Sequence, residues 1–274
     1  MKLENINIIL TGCASGIGLE LLKLLLKTNC RIIACDLNIE RLDISKTNTN
    51  QPDSVPQKNN AVLFKYKCDV SSKTQLDSLF DFAKEKLGDI DLFIANAGFA
   101  YYEKIEGADW NHISKIFETN VMSFIYCAEK MKVLHGEKPY NFVVTGSSMG
   151  LLSMPGYSLY SATKAAVRGF ADSYRLELNI DQHFQVVYPI ATKTKFFSTA
   201  ANNTPVPFPT QTPEAVAKKI VHGIKKNKNH IFPSTVFSIM NFLNRFLPFI
   251  FKIYVTVNNC KFKNWSEKNN KGNN

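Results

Sequence analysis

The sequence has no CxxC pair and no histidine at zinc-ligand spacing from its cysteines; Cys13, Cys30, Cys35, Cys68, Cys127 and Cys260 are scattered instead. That argues against a zinc module or a disulfide framework, so no metal and a reducing, cytoplasmic setting are expected. No run of about 20 predominantly apolar residues is free of polar interruption, so a membrane-spanning helix is not expected. The start, MKLENINIIL, carries an acid at position 4 and no apolar stretch ending in a small-residue cleavage site, which argues against secretion. His112, His135, His183, His222 and His230 form no motif with a carboxylate or a nucleophile. Internal repeats and signs of a second domain are also missing. Acidic residues are scarce at one end only. Of the net charge of +10, the residues from Pro213 onward contribute +9, with 11 Lys/Arg against 2 Asp/Glu, which leaves the first 212 nearly neutral at +1. A basic tail on a neutral body fits an anionic membrane surface or plain solubility better than a nucleic-acid groove, and no nucleic-acid partner is expected.

What is present is a chain of 274 residues, 45% hydrophobic, enough for one large α/β domain. Asn5 to Leu10 form a β-rich run that breaks into Thr11-Gly12-Cys13-Ala14-Ser15-Gly16-Ile17-Gly18, followed by an apolar helix from Leu19 to Lys27. Strand, glycine loop and helix in that order suit a pyrophosphate, because backbone N–H groups and the positive end of the helix dipole face the anion. A second strand, Arg31 to Cys35, ends at Asp36, where a carboxylate can accept hydrogen bonds from an adenosine ribose and repel a 2′-phosphate. Asp36 or Asn38 can equally cap the short helix that begins near Leu37.

Residues 44–60 are polar, contain two prolines and read as a surface loop. Beyond them strands alternate with helices. Ala61–Tyr66 leads to Asp69 and Val70, where Asp69 either reaches an adenine or caps the next helix with Ser71. A helix over Lys73–Leu87 precedes the strand Asp91–Ala95 and the turn Asn96-Ala97-Gly98. The alternation predicts a single doubly wound parallel sheet of Rossmann type flanked by helices. A long helix over Trp110–Val133 holds Asn120 in its middle, an unfavourable place that calls for either a local bend or a polar duty. The strand Phe142-Val143-Val144 ends near Ser147, and Phe184–Tyr188 forms a sixth strand running into Pro189, Ile190 and Thr194. Residues 195–213, with Phe196, Phe197 and a proline cluster at Pro205, Pro207 and Pro209, read as a lid.

Tyr160 and Lys164 stand four residues apart on a helix and share a face. An ammonium beside a phenol favours the phenolate, so the Tyr160 pKa is expected below its ordinary value of about 10. Ser147 can hydrogen-bond the same oxygen that Tyr160 protonates. A Tyr and a Lys at this spacing also arise on any amphipathic face.

Taken in order, TGxxxGxG, Asp36, Asn96-Ala97-Gly98, Asn120, Ser147, Tyr160xxxLys164 and Pro189 resemble the short-chain dehydrogenases/reductases over about residues 5–232. The resemblance implies that Tyr160 is the acid/base, that Lys164 holds the nicotinamide ribose, that Ser147 orients the substrate oxygen and that Asn120 orders a water. It places Gly12, Ser15, Gly16, Ile17 and Gly18 at the pyrophosphate, Asp36 at the adenine ribose, Asp69 and Val70 at the adenine and Asn96 at the cofactor's middle. It sets Pro189, Ile190 and Thr194 at the nicotinamide, and it implies a homodimer or tetramer. Two positions depart from the family pattern: Pro189-Ile190 replaces Pro-Gly, and Ser148 competes with Ser147.

Phe99, Tyr101, Met149, Leu151, Leu152, Met154, Tyr157, Phe196 and Phe197 are candidate pocket residues, with no arginine among them to clamp a carboxylate. An apolar alcohol or ketone, lipid-like in character, is therefore the expected substrate. The catalytic domain is expected over 1–233, an amphipathic helical extension over 234–260 and a disordered polar tail over 261–274. The helix at 236–257, kinked at Pro248, either lies peripherally on a membrane or packs on the substrate entrance or a partner subunit. The whole reads as an NAD-linked oxidoreductase, NADP not being excluded. The alternatives are an NADPH-dependent ketone reductase and a non-catalytic dinucleotide sensor or scaffold docking through its last helix.

Overall fold

The computed structural model describes residues 1–42 and 61–270, so the loop expected over 44–60 and the last four residues lie outside the described part. Seven strands form one parallel sheet: β1 (Ile6–Thr11), β2 (Cys30–Asp36), β3 (Val62–Lys67), β4 (Leu92–Ala95), β5 (Tyr140–Thr145), β6 (Gln182–Val187) and β7 (His230–Ile231). Their spatial order is β3-β2-β1-β4-β5-β6-β7, so the winding reverses between β1 and β4. Loops leaving the carboxyl ends of those two strands diverge, which opens a crevice at that point.

The inner strands are apolar on both faces because helices cover both. Ile8, Leu10, Ile32 and Val143 point to the side of helices α1 (Gly16–Leu25) and, later in the chain, α7 (Pro213–Lys225). Ile9, Ile33, Phe93 and Phe142 point the other way, toward α2 (Lys73–Leu87), α4 (Ser123–His135) and α5 (Ser158–Tyr174). Strand register aligns Phe93, Phe142 and Phe184 across β4, β5 and β6. Their rings stack with centroids 5.1 Å apart at each step and planes within 4°. Three large side chains thereby fix the register of the strands that carry Asn96, Ser147 and Pro189 at their ends.

Three sequence expectations change here. The long helix is not continuous: α3 (Trp110–Phe117) passes through a π-helical turn at Glu118–Met122 before α4 begins. Asn120 lies in this widened turn, and its buried side chain hydrogen-bonds the backbone of Phe99. The extension is two helices rather than one kinked one. α8 (Thr235–Leu243) is capped by Ser234 and α9 (Phe249–Asn270) starts just after Pro248, which cannot continue a helical ladder. Between α5 and α7 a short α6 (Phe196–Ala200) opens the lid.

The tail expected to be disordered from 261 onward is helical to Asn270, as the end of α9. The reason is aromatic. Phe262 and Trp265, three residues apart and hence on one face, lie 5.6 and 4.6 Å from the Tyr102 ring, and the Trp265 indole donates to Asn202 O at 3.0 Å. These residues join Met149, Met154 and Tyr160 in a third apolar cluster, so the extension packs onto the wall of the crevice. Among the described residues no helix is long and apolar enough to cross a membrane.

Candidate active site

A cleft of about 500 Å³ runs along the carboxyl ends of the strands. At one end lies the glycine loop. Gly12 has φ +66°, and a Cβ there would come within 2.7 Å of Ala97 Cα, so only glycine lets the loop lie against Asn96-Ala97. Gly18 is tighter still, since its Cβ would meet Gly12 O at 1.9 Å. Asn96 ties the arrangement together: its amide donates to Gly12 O at 2.9 Å, its carbonyl accepts from Thr145 Oγ1 at 3.0 Å, and its N–H reaches Thr11 Oγ1 at 3.1 Å.

Helix α1 starts from this loop without a side-chain cap, whereas α2, α3, α7 and α8 are capped by Ser72, Asp109, Thr212 and Ser234. Its first-turn N–H groups, and the dipole behind them, are left for an anion in the cleft. Asp36 accepts from Ala14 N and Asn38 N, each at 2.9 Å, so it latches the loop and keeps lone pairs for ribose hydroxyls. Asn38 is the residue before the short 3-10 helix, yet its side chain caps nothing. Asp69 accepts from both the N–H and the hydroxyl of Ser71, and the cap of α2 falls to Ser72. The glycines, the uncapped helix and the carboxylate fit a dinucleotide.

At the other end, Lys164 Nζ donates to Thr145 O at 2.8 Å and lies 5.6 Å from the centre of the Tyr160 ring. The Ser147 hydroxyl accepts from Met149 N at 3.1 Å, which frees its proton for the Tyr160 oxygen. Pro189 O accepts from Ser148 N at 2.9 Å, which holds this turn against the loop after β6, and the Ser147 hydroxyl bonds the Tyr160 oxygen. Burial sets the charges. It pushes the Tyr160 phenol up to about 12, against the pull of the Ser147 hydrogen bond, and it pushes the Lys164 ammonium down to about 8. The expected depression of the Tyr160 pKa is therefore reversed, because desolvation outweighs the Ser147 hydrogen bond.

Over residues 6–204 the sequence matches the model of the short chain dehydrogenase family. The chain belongs to that family. It is an NAD(P)-dependent oxidoreductase of the short-chain dehydrogenase type. Among its relatives are epidermal retinol dehydrogenase 2 of Homo sapiens, 25% identical over 88% of this chain and 78% of that one, and 3-ketodihydrosphingosine reductase of Dictyostelium discoideum, 30% identical over 84% and 75%. A solved short chain dehydrogenase/reductase from Burkholderia phymatum, in complex with NAD, has the same fold, with a TM-score of 0.73 at 18% identity over 89% of this chain and 94% of that one.

In this short-chain dehydrogenase the cleft is lined by Gly12, Ser15, Gly16, Ile17, Asp36, Asp69, Val70, Asn96, Ser147, Tyr160, Lys164, Pro189, Ile190 and Thr194. Gly18 and Asn120 stand behind the lining. Asn120 accepts from Phe99 N at 3.1 Å and donates to Phe99 O and Thr163 Oγ1 at 2.8 and 3.2 Å, so it fixes the strand-end loop beside Lys164. Of the apolar candidates, Phe99, Met149, Phe196 and Phe197 line the cleft, and Leu152 and Met154 line a second pocket. Tyr101, Leu151 and Tyr157 line neither. Tyr101 stacks on His112 at 3.8 Å, and His112 sits 2.9 Å from both oxygens of Glu103, a carboxylate partner the sequence did not reveal. Sequence reasoning also missed Thr145 and Thr163. Thr145 acts through its carbonyl, which leaves no residue-type signal; Thr163, three residues after Tyr160 on α5, had only its helical spacing to mark it.

Proposed function

We propose that this enzyme interconverts an apolar alcohol and its ketone or aldehyde, with Tyr160 as general acid and base and NAD as the preferred cofactor. The observation that carries the reading is a pocket of about 210 Å³ that shares Ser148, Met149, Ile190 and Ala191 with the cleft and has no charged side chain in its walls. The pocket is closed by Phe237, Met240, Phe251 and Tyr254 of the last two helices and by the prolines of the lid. The names of two relatives, a retinol dehydrogenase and a 3-ketodihydrosphingosine reductase, point to the same substrate class.

A bound nicotinamide supplies or accepts the hydride. Tyr160 holds the proton through the neutral range and delivers it to a carbonyl oxygen on reduction, or recovers it on oxidation. Ser147 donates to the same oxygen and fixes its position. Lys164, held by Thr145 O, keeps two further N–H donors for ribose hydroxyls. Asp36 adds negative charge where a 2′-phosphate would stand, and Arg41, the first basic residue after it in sequence, is not among the lining residues. An Asp36→Asn variant is expected to lose about tenfold in its preference for NAD over NADP, the worth of one charge-assisted hydrogen bond.

The test is a panel of long-chain and short-chain ketones and alcohols with both cofactors, followed by nicotinamide absorbance. Turnover is expected to rise with chain length up to the capacity of the pocket. Cofactor binding with no turnover across the panel would replace the enzyme reading with that of a dinucleotide sensor.

A further inference from the structure

The described chain exposes twenty large hydrophobic side chains, and nine of them fall between Val236 and Val257. Elsewhere they are scattered, which is ordinary for a folded surface. Here they form one face. On α8 and the turn after it Ile239, Phe242, Phe246 and Leu247 project outward, Phe242 and Phe246 with ring centres 5.7 Å apart, and Phe249 and Ile253 continue it on α9. Phe246 is 70% exposed.

Two further observations bear on what covers this face. The first is charge. Arg245 and Lys252 stand exposed within it, Lys261 and Lys263 follow on α9, and no acidic residue occurs between Glu214 and Glu267. A second copy docked across a two-fold axis would press these cations against their own equivalents with no carboxylate of the patch to pair them. An anionic lipid surface pairs them all and takes up the aromatic side chains between them. The second is the position of the pocket mouth. Val236 and Phe208 both line the apolar pocket and are 60% and 75% exposed, so the pocket opens beside the hydrophobic face.

We propose that the face formed by α8, the turn at 244–248 and the first turns of α9 seats on an anionic lipid surface, with the pocket mouth turned toward the bilayer so that the apolar substrate enters from lipid. The seating stands on its own; the route of entry rests on the substrate class proposed above. Without the extension the pocket would lose its outer wall and the enzyme its membrane contact together.

Flotation of the full chain with vesicles of phosphatidylcholine, with and without phosphatidylserine, tests the seating without reference to activity. The chain is expected to float with the phosphatidylserine vesicles at least tenfold more than with phosphatidylcholine alone, each cation near the surface contributing about fivefold, and to be released by salt. A Phe242→Ser/Phe246→Ser/Phe249→Ser variant is expected to stay at the bottom while retaining cofactor binding, since none of the three lines the cleft or the pocket. Turnover of a long-chain ketone dissolved in vesicles should fall in that variant, and turnover of a water-soluble ketone should not. Absence of flotation, equal flotation of the variant, or a dimer in light scattering that the same three substitutions dissolve would overturn the proposal, the last by giving the face to a second copy. Flotation without turnover of any carbonyl would leave the seating intact and remove the substrate reading instead.

Discussion

At the nucleotide end of the cleft, backbone lies on backbone. Gly12 and Gly18 leave no space for a methyl group, Asn96 spans two strands, and Asp36 latches the loop through its N–H groups. At the other end, side chains from the lid and from helices α8 and α9 lean over an apolar pocket, tied across by a single side-chain hydrogen bond among its lining residues, from the Tyr254 hydroxyl to Phe208 O at 2.9 Å. The first end is fixed by contacts that admit one residue type; the second is fixed by volume, which many residues can fill. Tyr160 and Lys164 sit at the junction. Rigid at one end and adaptable at the other, the cleft can keep one cofactor while its substrate range changes.

The largest effect expected is at the junction. Tyr160→Phe keeps the ring contact to Phe196 and should lower kcat by about 10³ while cofactor affinity, followed by fluorescence titration, changes only a few-fold. If turnover stays near wild type, chemistry is not located where the two ends meet. Next is the rigid end: Gly18→Ala should cost about 3 kcal/mol of stability in urea denaturation, because the methyl group collides with backbone that cannot rotate away. A tolerated alanine there would break the contrast outright.

Lys164→Met should stabilise the protein and inactivate it. Burial lowers the Lys164 pKa from 10.5 to about 8, a penalty of about 3 kcal/mol on the charged form, less about 1 kcal/mol for the Thr145 carbonyl left without its donor. The folded chain holds this proton less tightly than the unfolded one, so the wild type is penalised below about pH 8 and recovers as pH rises toward 10.5. The variant should therefore melt about 5 °C higher at neutral pH, with the advantage fading by about pH 10.5. The smallest effect belongs to the adaptable end. Met240→Ala should favour a substrate one methylene longer by about 0.8 kcal/mol, near fourfold in kcat/KM, with stability little changed.

The same contrast decides what could be read in advance. The strand, glycine loop and helix, Asp36, and the Tyr160–Lys164 pair are local in sequence, and their geometry follows from spacing; the sheet followed from the alternation of elements. Asn120 announced itself by being wrong for a helix. What stayed hidden depends on residues far apart in the chain. Lys261 to Asn270 read as polar because Phe262 and Trp265 look isolated until Tyr102 is beside them. The shift of the Tyr160 phenol upward rather than downward follows from burial under a tertiary cluster, which spacing to Lys164 alone cannot report. The contacts of Tyr101 with His112 and of His112 with Glu103 likewise arise only when the loop after β4 folds back on α3.

The five-residue turn at Glu118–Met122 amounts to one amino acid too many for a regular coil. Deleting a single residue there would restore a straight cylinder while rotating α3 by about 100° about its axis relative to α4. The His112 side chain would swing away from Tyr101 and Glu103, and the carboxamide now holding the backbone of Phe99 would leave its place. The surplus residue thus acts as a phase adjuster between two helical segments, and length at this point is under tighter constraint than composition.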